Sequence, residues 1–238
     1  AYQDEEPVLT STELISGWKK LTSFPSDLPI VAQGNVWVAN IENAKNWQFR
    51  TLFDGEKMLS RARSAGFIPT MECPAPSLAH RWEDLNTLGF PEGALRNWDN
   101  LEDVEIFIRP THQWLVNYLP IEKVDENKNI ATTRVSGTYR LCKVVNKDWD
   151  ETCWVENVLE AMDEPGEWVL NSKTGKLYYW PESGNPGDNI SAPVVRELVL
   201  VEGKNVDAVE GDMPVRGIIF DGLTFTGGDR DVWTVEDR

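Results

Sequence analysis

The stretch Trp154–Pro181, WVENVLEAMDEPGEWVLNSKTGKLYYWP, places a helix signal, a tight turn and a hairpin in one short segment. Its first part predicts a short helix over Glu156–Met162, because the apolar residues there fall on one side of a helix. The DEPG sequence that follows ends this helix, since proline lacks an N–H and glycine permits a chain reversal. Trp168–Leu170 and Leu177–Trp180 are then predicted to pair as a β-hairpin, with Gly175 at positive φ in its turn.

Outward from this stretch, strand signals dominate and helix signals are sparse. Asp54–Gly55 fits a hairpin turn between neighbouring strands at 49–53 and 57–59. Val36–Ile41 and Val104–Ile108 alternate in a period of two, which predicts one packed and one solvent-facing side. A second helix is predicted near Leu78–Leu85. Short apolar stretches between turn residues predict further strands at Val8–Leu9, Leu14–Ile15, Val36–Val38, Phe49–Phe53, Val104–Ile108 and Gly137–Val145.

Composition limits the class of protein. Hydrophobic residues make up 41% of the 238 residues, which permits a sizeable core and argues against wholesale disorder. No apolar run reaches the about 18 residues that span a bilayer, and the acidic N-terminus lacks a signal-peptide pattern. The net charge of −16 argues against nucleic acid as a partner. It argues mildly against a strongly anionic polysaccharide, unless a local basic patch or bound cations override it.

Three cysteines are present, and no CxxC pair or histidine-rich spacing suggests zinc. Cys142 and Cys153 flank a turn-like stretch and could form a disulfide across a hairpin. Cys73 would then have no disulfide partner. The alternative is that these cysteines are free and buried.

The C-terminal part carries a different pattern. Glu197–Gly203 and Val215–Gly227 are predicted strands at a spacing that suits the rungs of a β-solenoid. An ordinary meander would give the same pattern, because a solenoid buries its core only with about three stacked repeats. If Gly222 takes the corner, four apolar side chains would point inward: Ile218, Phe220, Leu223 and Phe225.

The order of these segments resembles bacterial right-handed parallel β-helix proteins of glycoside hydrolase family 141 and its relatives. Glu6–Lys19 looks like an early rung, Trp37–Arg63 resembles the start of a β-rich insertion, and Glu156–Pro181 resembles its end. The resemblance implies a mostly β fold, in which right-handed parallel β-helix rungs are interrupted by an inserted antiparallel β-rich domain. The implied boundaries are 1–30 for early rungs, 31–192 for the insertion and 193–238 for a truncated return to the rungs.

The same resemblance implies a secreted or periplasmic protein that cleaves glycosidic bonds in complex polysaccharides. In such proteins a pair of carboxylates on later rungs supplies the acid and the base, so these groups are expected beyond Arg238 and no catalytic residue is assigned. The chain is expected to be an internal or N-terminal fragment. Its implied partners are a poly- or oligosaccharide and the remainder of its own β-helix. A β-helix polysaccharide lyase and a non-catalytic glycan-binding solenoid remain as alternatives.

Two groups of residues are candidates for sugar binding. On a strand, Asp229 and Asp231 would share one face and Arg230 the other, and Trp233 could stack on a pyranose ring; a solvated loop is the alternative. His112 and Trp114 form the second group, although a lone histidine is more often structural.

No cofactor is predicted, although the acidic loop at 227–231 could supply oxygen ligands to calcium without EF-hand spacing. The acidic group Asp163, Glu164 and Glu167 is explained by turn chemistry and solvation. Eleven tryptophans are compatible with glycan stacking, but Trp37, Trp168 and Trp180 are more typical of core or sheet packing.

Overall fold

The computed structural model describes residues 4–73, 84–110, 115–144, 153–203 and 213–230. These residues form short strands and two single-turn 3-10 helices, Leu101–Asp103 and Leu159–Ala161, so the prediction of a mostly β chain is confirmed. The strands in chain order are β1 (Val8–Thr10), β2 (Thr12–Leu14), β3 (Lys19–Lys20), β4 (Trp37–Asn40), β5 (Phe53–Asp54), β6 (Lys57–Met58), β7 (Ser60–Arg61), β8 (Glu72–Cys73), β9 (Thr87–Gly89), β10 (Glu105–Ile108), β11 (Asn117–Asp125), β12 (Ile130–Thr133), β13 (Lys143–Val144), β14 (Cys153–Glu156), β15 (Glu167–Asn171), β16 (Lys176–Tyr179), β17 (Ile190–Pro193) and β18 (Thr224–Thr226).

Over the described ranges these strands form five separate sheets, and most of their pairings are antiparallel. Two five-stranded sheets carry most of the structure, in the orders β14-β10-β11-β12-β9 and β3-β4-β16-β15-β7. A four-stranded sheet has the order β2-β17-β5-β6. The pairs β1–β18 and β8–β13 are parallel, as is the contact between β7 and β15. Among the described residues, no helix is long and apolar enough to cross a membrane.

The hairpin predicted from the opening stretch is confirmed. β15 and β16 pair antiparallel, with Trp168 opposite Tyr179 and Asn171 opposite Lys176. Gly175 has a φ of 68° in the turn, and the Asn171 side chain accepts a hydrogen bond from the Thr174 N–H at 2.9 Å. The shorter hairpin at Asp54–Gly55 is confirmed as well, by the pairing of β5 with β6.

The helix predicted over Glu156–Met162 is wrong for most of its length. Glu156 belongs to β14, and only Leu159–Ala161 turns, as a 3-10 helix. Asn157 interrupts the helical path with a φ of 70°. Its buried side chain accepts from the Leu170 N–H at 2.8 Å and donates to the Leu170 carbonyl at 2.7 Å. This link gives hydrogen-bond partners to both backbone groups of Leu170 in β15, and it holds Asn157 in a non-helical conformation.

Replacing Gly175 with alanine is expected to lower the free energy of unfolding by about 1–2 kcal/mol, because the left-handed conformation crowds a Cβ. The added Cβ would also lie 3.1 Å from the Ile41 carbonyl oxygen. Gly228→Ala is the matched control, since no atom lies within 4 Å of its Cβ position. We expect that control to change stability by less than about 0.5 kcal/mol. Urea unfolding measures both variants, and equal losses would contradict the assignment of the turn.

The apolar core divides between the two five-stranded sheets. Ile106, Val155 and Leu119 pack on one side of the sheet that contains β10. Trp168 and Tyr179 pack with residues of β4 and β17 in the second cluster. Trp168 and Trp180 are buried, which confirms their predicted packing role, whereas Trp37 lies in β4 and is only half-buried.

Some predicted strands are shorter in the structure than in the prediction. Within Phe49–Phe53 only Phe53 is in a strand, while Phe49 and Leu52 are buried in the core without strand pairing. In the described part of 137–145 only Lys143–Val144 pairs. The helix predicted near 78–85 lies mostly outside the described residues.

The solvent-facing side predicted for Val104–Ile108 is also wrong. All four residues of β10 are buried, because aromatic and arginine side chains cover its outer face.

The C-terminal region pairs back onto the start of the chain. Val8 lies opposite Thr224 and Thr10 opposite Thr226 in the parallel pair β1–β18. Residues 197–203 are predicted to form a strand, but they pair with none of the described residues and form no strand. Of the four apolar side chains expected to point inward, Ile218, Phe220 and Phe225 are instead 52%, 51% and 42% exposed, and Leu223 is half-buried.

The disulfide joins Cys73 to Cys142, so the pairing of Cys142 with Cys153 that the sequence allowed does not form, and the alternative of a free, buried cysteine holds for Cys153 alone. β8 and β13 run parallel, with Val144 opposite Cys73, which brings the Cα atoms of Cys73 and Cys142 to 5.7 Å. Cys153 lies opposite Ile108 in a different sheet and is free and fully buried. Its burial raises the pKa of the thiol well above its usual value.

Candidate functional site

A row of three aromatic side chains crosses the outer face of the sheet β14-β10-β11. Phe107 lies opposite Trp154 on one side and Tyr118 on the other. The Phe107 and Trp154 rings stack at a centroid distance of 3.6 Å, and Tyr118 meets Phe107 edge-on at 5.1 Å. Alternate residues of a strand share a face, so Glu105 and Glu156 lie on the same side as this row.

Each ring of the row has a guanidinium over it. Arg230 lies 4.0 Å from the Tyr118 centroid, Arg63 lies 5.4 Å from Trp154, and Arg109 lies 6.0 Å from Phe107. Such cation–π contacts contribute about 0.5–1 kcal/mol at exposed sites and more when desolvated. The row therefore fixes the positions of three positive charges above the sheet.

Glu105 is the buried centre of a charge cluster next to this row. Its side chain is 3% exposed and accepts hydrogen bonds from three arginines. Arg50 Nε donates at 3.1 Å, and Arg230 donates through Nη1 at 3.2 Å and Nη2 at 2.5 Å. Arg61 Nη1 donates to the same carboxylate. Burial alone would raise the pKa of Glu105, but the charges of Arg61, Arg230 and Arg50 and the Arg230 hydrogen bond outweigh it and hold the pKa at about 2.

Arg61 is the most enclosed of these arginines, with a side chain 7% exposed. Its Nη2 donates to the Asp103 carbonyl at 3.1 Å, and its Nη1 lies 3.7 Å from a Glu156 carboxylate oxygen. Within the described residues its Nε has no hydrogen-bond partner. A cavity of about 20 Å³, lined by Arg50, Arg61 and Glu105 among others, is large enough for one water molecule beside this cluster.

Two adjoining compartments open above the cluster. The first, of about 540 Å³, is lined by Arg50, Arg230 and Tyr118 among others. The second, of about 320 Å³, is lined by Trp154 and the turn residue Asp163 among others. The residues that line both compartments are Arg63, Glu164 and Glu167. We call the two compartments together the arginine–glutamate groove.

The acidic turn forms one wall of this groove. One carboxylate oxygen of Glu167 accepts the N–H groups of Asp163 at 2.8 Å and Glu164 at 3.1 Å, which confirms the turn chemistry predicted for these residues. Burial raises the pKa of Glu167 despite these two donors. The same turn also carries the Glu164 side chain into the groove lining, a location that sequence reasoning did not predict.

The structure places two of the predicted sugar-binding residues near the groove. Arg230 lines it, whereas both carboxylate oxygens of Asp229 accept the Arg50 N–H, at 3.0 and 3.1 Å, and one accepts the Thr51 hydroxyl at 3.0 Å. Asp229 therefore anchors its segment to the residues before β5. The other predicted residues lie outside the described residues: His112, Trp114, Asp231 and Trp233.

Sequence reasoning missed Arg50, Arg61, Arg63 and Glu105. One signal was present, because a single glutamate in the apolar stretch Val104–Ile108 must be neutralised if both faces of the strand are buried. A second was the alternation of Arg61 and Arg63, which puts both on one side of an extended segment. Neither signal identifies the partners, which are distant in sequence.

Comparison with known proteins finds a matching family model and a matching solved structure. A family model described as the GH141 insertion domain matches residues 34–182, a range that contains the aromatic row, Glu105 and every groove residue named above except Arg230. A solved structure described as "Glycoside hydrolase" matches with a TM-score of 0.62 and 23% sequence identity. The match covers 96% of this chain and 38% of that one, so the chain spans well under half of the matched protein. None of the curated protein sequences compared with the chain matches it.

Proposed function

Because this chain belongs to the GH141 insertion domain family, we propose that it forms part of a glycoside hydrolase that cleaves glycosidic bonds in polysaccharides. The family match over residues 34–182 carries this proposal. The fold match to a glycoside hydrolase over 96% of the chain supports it.

The proposed chemistry is the two-carboxylate mechanism, in which one carboxyl group protonates the leaving oxygen and the other acts as base or nucleophile. Glu105 does not suit either role, because three arginines enclose it and a pKa of about 2 leaves it without a proton to donate at neutral pH. Glu156 is held beside Arg61. We therefore place the catalytic pair beyond Arg238. The coverage of only 38% of the matched glycoside hydrolase agrees with catalytic groups that lie outside this chain.

We further propose that residues 1–30 and 193–238 belong to right-handed parallel β-helix rungs, with 31–192 inserted between them. The parallel pairing of β1 with β18 supports this organisation. So does the exposure of Ile218, Ile219 and Phe220, because contiguous exposed apolar side chains mark surfaces that other protein segments cover. The proposed partner at this surface is the remainder of the same β-helix.

A secreted or periplasmic location is proposed as well. The disulfide between Cys73 and Cys142 supports it, because disulfides persist mainly in oxidising compartments.

The test is a screen of the full-length protein on neutral, uronate-containing and sulfated polysaccharides, with analysis of the products. We expect new reducing ends whose sugars are saturated, which is the outcome of hydrolysis. Unsaturated products that absorb in the ultraviolet would identify a lyase instead. Binding without turnover on every substrate would identify a glycan-binding solenoid and contradict the proposal.

A further inference from the structure

We propose that the arginine–glutamate groove binds an uncharged oligosaccharide long enough to occupy both of its compartments. This inference rests on the proposed function, because it names the class of sugar that the GH141 insertion domain of this chain recognises.

The shape of the groove suits an elongated ligand. Compartments of about 540 and 320 Å³ fall within the range of small-molecule sites. They share the lining residues Arg63, Glu164 and Glu167, so the two compartments adjoin at these side chains, and a ligand that occupied both would lie across them.

Unused hydrogen-bonding capacity in the groove suits hydroxyl groups. Arg50 donates to Glu105 through Nε, and its two terminal nitrogens have no partner among the described residues. The Glu164 carboxylate has no partner in the described ranges either, although its backbone N–H donates to Glu167. A sugar hydroxyl both donates and accepts, so it can satisfy a guanidinium on one side and a carboxylate on the other.

Arg63 is held at the junction of the two compartments. Its guanidinium lies 5.4 Å from the Trp154 ring, and no carboxylate of the described residues forms an ion pair with it. The opposite face of Trp154 is stacked on Phe107, which fixes the ring. Arg63 is therefore a donor positioned before any ligand arrives, which lowers the entropic cost of binding.

Charge balance selects against ionic ligands. Four arginines, Arg50, Arg61, Arg63 and Arg230, stand against five carboxylates in and beneath the groove, which are Glu105, Glu156, Asp163, Glu164 and Glu167. The chain as a whole carries a net charge of −16, so the groove is nearly neutral on an acidic protein. A uronate would have to approach Glu164 and Glu167, and a cationic sugar would have to approach Arg50 and Arg63. Such like-charge contacts penalise the wrong ligand.

Isothermal titration calorimetry of the 238-residue chain tests this inference with cellohexaose and mannohexaose as uncharged probes and hexagalacturonate as the anionic probe. We expect an uncharged hexasaccharide to bind at least tenfold more tightly than hexagalacturonate. We expect Arg63→Ala and Glu164→Gln each to weaken that binding at least fivefold. Arg96→Ala is the matched control, because Arg96 is an exposed arginine that pairs with Glu160 away from the groove. It should leave the affinity unchanged.

Several outcomes would overturn the inference. Tighter binding of hexagalacturonate than of both uncharged probes by the wild-type chain would make the groove an anion site. Failure of both uncharged probes to bind, or equal losses in Arg63→Ala and Arg96→Ala, would remove the groove as a sugar site. Circular dichroism melting checks that each variant is folded. Binding without hydrolysis by the full-length protein would sustain this inference and contradict the proposed function, while hydrolysis without groove binding would do the reverse.

Discussion

Replacing Glu105 with glutamine is expected to lower the free energy of unfolding by about 3–5 kcal/mol, because removal of one partner leaves buried charge uncompensated. Three guanidinium groups converge on this carboxylate, and its side chain is 3% exposed. Glutamine has nearly the same size but no charge, so Arg50, Arg61 and Arg230 would repel one another without a counter-ion. Urea unfolding of the wild type and the variant measures the difference.

Glu182→Gln is the control for this variant. Glu182 pairs with Lys57 at 2.6 Å, and both side chains are 56% exposed. Exposed pairs of this kind contribute about 0–1 kcal/mol. A loss for Glu105→Gln no larger than that of the control would show that the three arginines do not depend on Glu105.

The contribution of Glu105 should also depend on pH with a definite sign. Its pKa is about 2 in the folded chain against 4.5 for an ordinary glutamate, so the folded state favours the ionised form. The stabilisation is therefore complete above about pH 4.5 and is lost as the pH falls toward 2, with a total of about 3 kcal/mol. We expect the stability difference between the wild type and Glu105→Gln to shrink across that interval. A difference that is constant with pH would contradict the assignment.

Removal of the disulfide is expected to lower the free energy of unfolding by about 4 kcal/mol. The disulfide closes a long loop and so reduces the conformational entropy of the unfolded chain, and its removal restores that entropy. Cys73 and Cys142 are 69 residues apart in sequence. The double variant Cys73→Ala with Cys142→Ala should unfold at a correspondingly lower urea concentration. A reducing agent should lower the stability of the wild type by a similar amount and leave the double variant unchanged.

Cys153→Ala tests the pairing itself. This variant should keep the full sensitivity to reducing agent, since Cys153 is free and buried in β14, beside β10. Loss of that sensitivity in Cys153→Ala would contradict the pairing of Cys73 with Cys142.

Local features of the fold could be predicted from the sequence because their causes are local. The β15–β16 hairpin follows from two apolar stretches and a glycine at positive φ, all within a few residues. The helix predicted over Glu156–Met162 fails because Asn157 bonds to Leu170 on another strand. The cysteine pairing fails for the same kind of reason, because the parallel pairing of β8 with β13 joins segments far apart in sequence.

The candidate site was harder to predict than the fold. Arg230 was selected from its flanking aspartates, and the structure places it in the groove. Its true neighbours are Glu105 and Tyr118, which lie more than a hundred positions earlier in the sequence. No period or motif connects such residues. The convergence of three arginines on one carboxylate arises only when the segment before β5, β7, β10 and the C-terminal segment come together.

The contact of Arg230 with Glu105 determines what can be transplanted from this protein. The family match ends at residue 182, yet Arg230 supplies two of the hydrogen bonds that hold Glu105. A graft of residues 34–182 onto another scaffold would leave Glu105 with only Arg50 and Arg61. The segment Gly227–Arg230 is tied to Ser11, Arg50 and Thr51 as well. A working chimera must therefore carry this short segment along with the insertion.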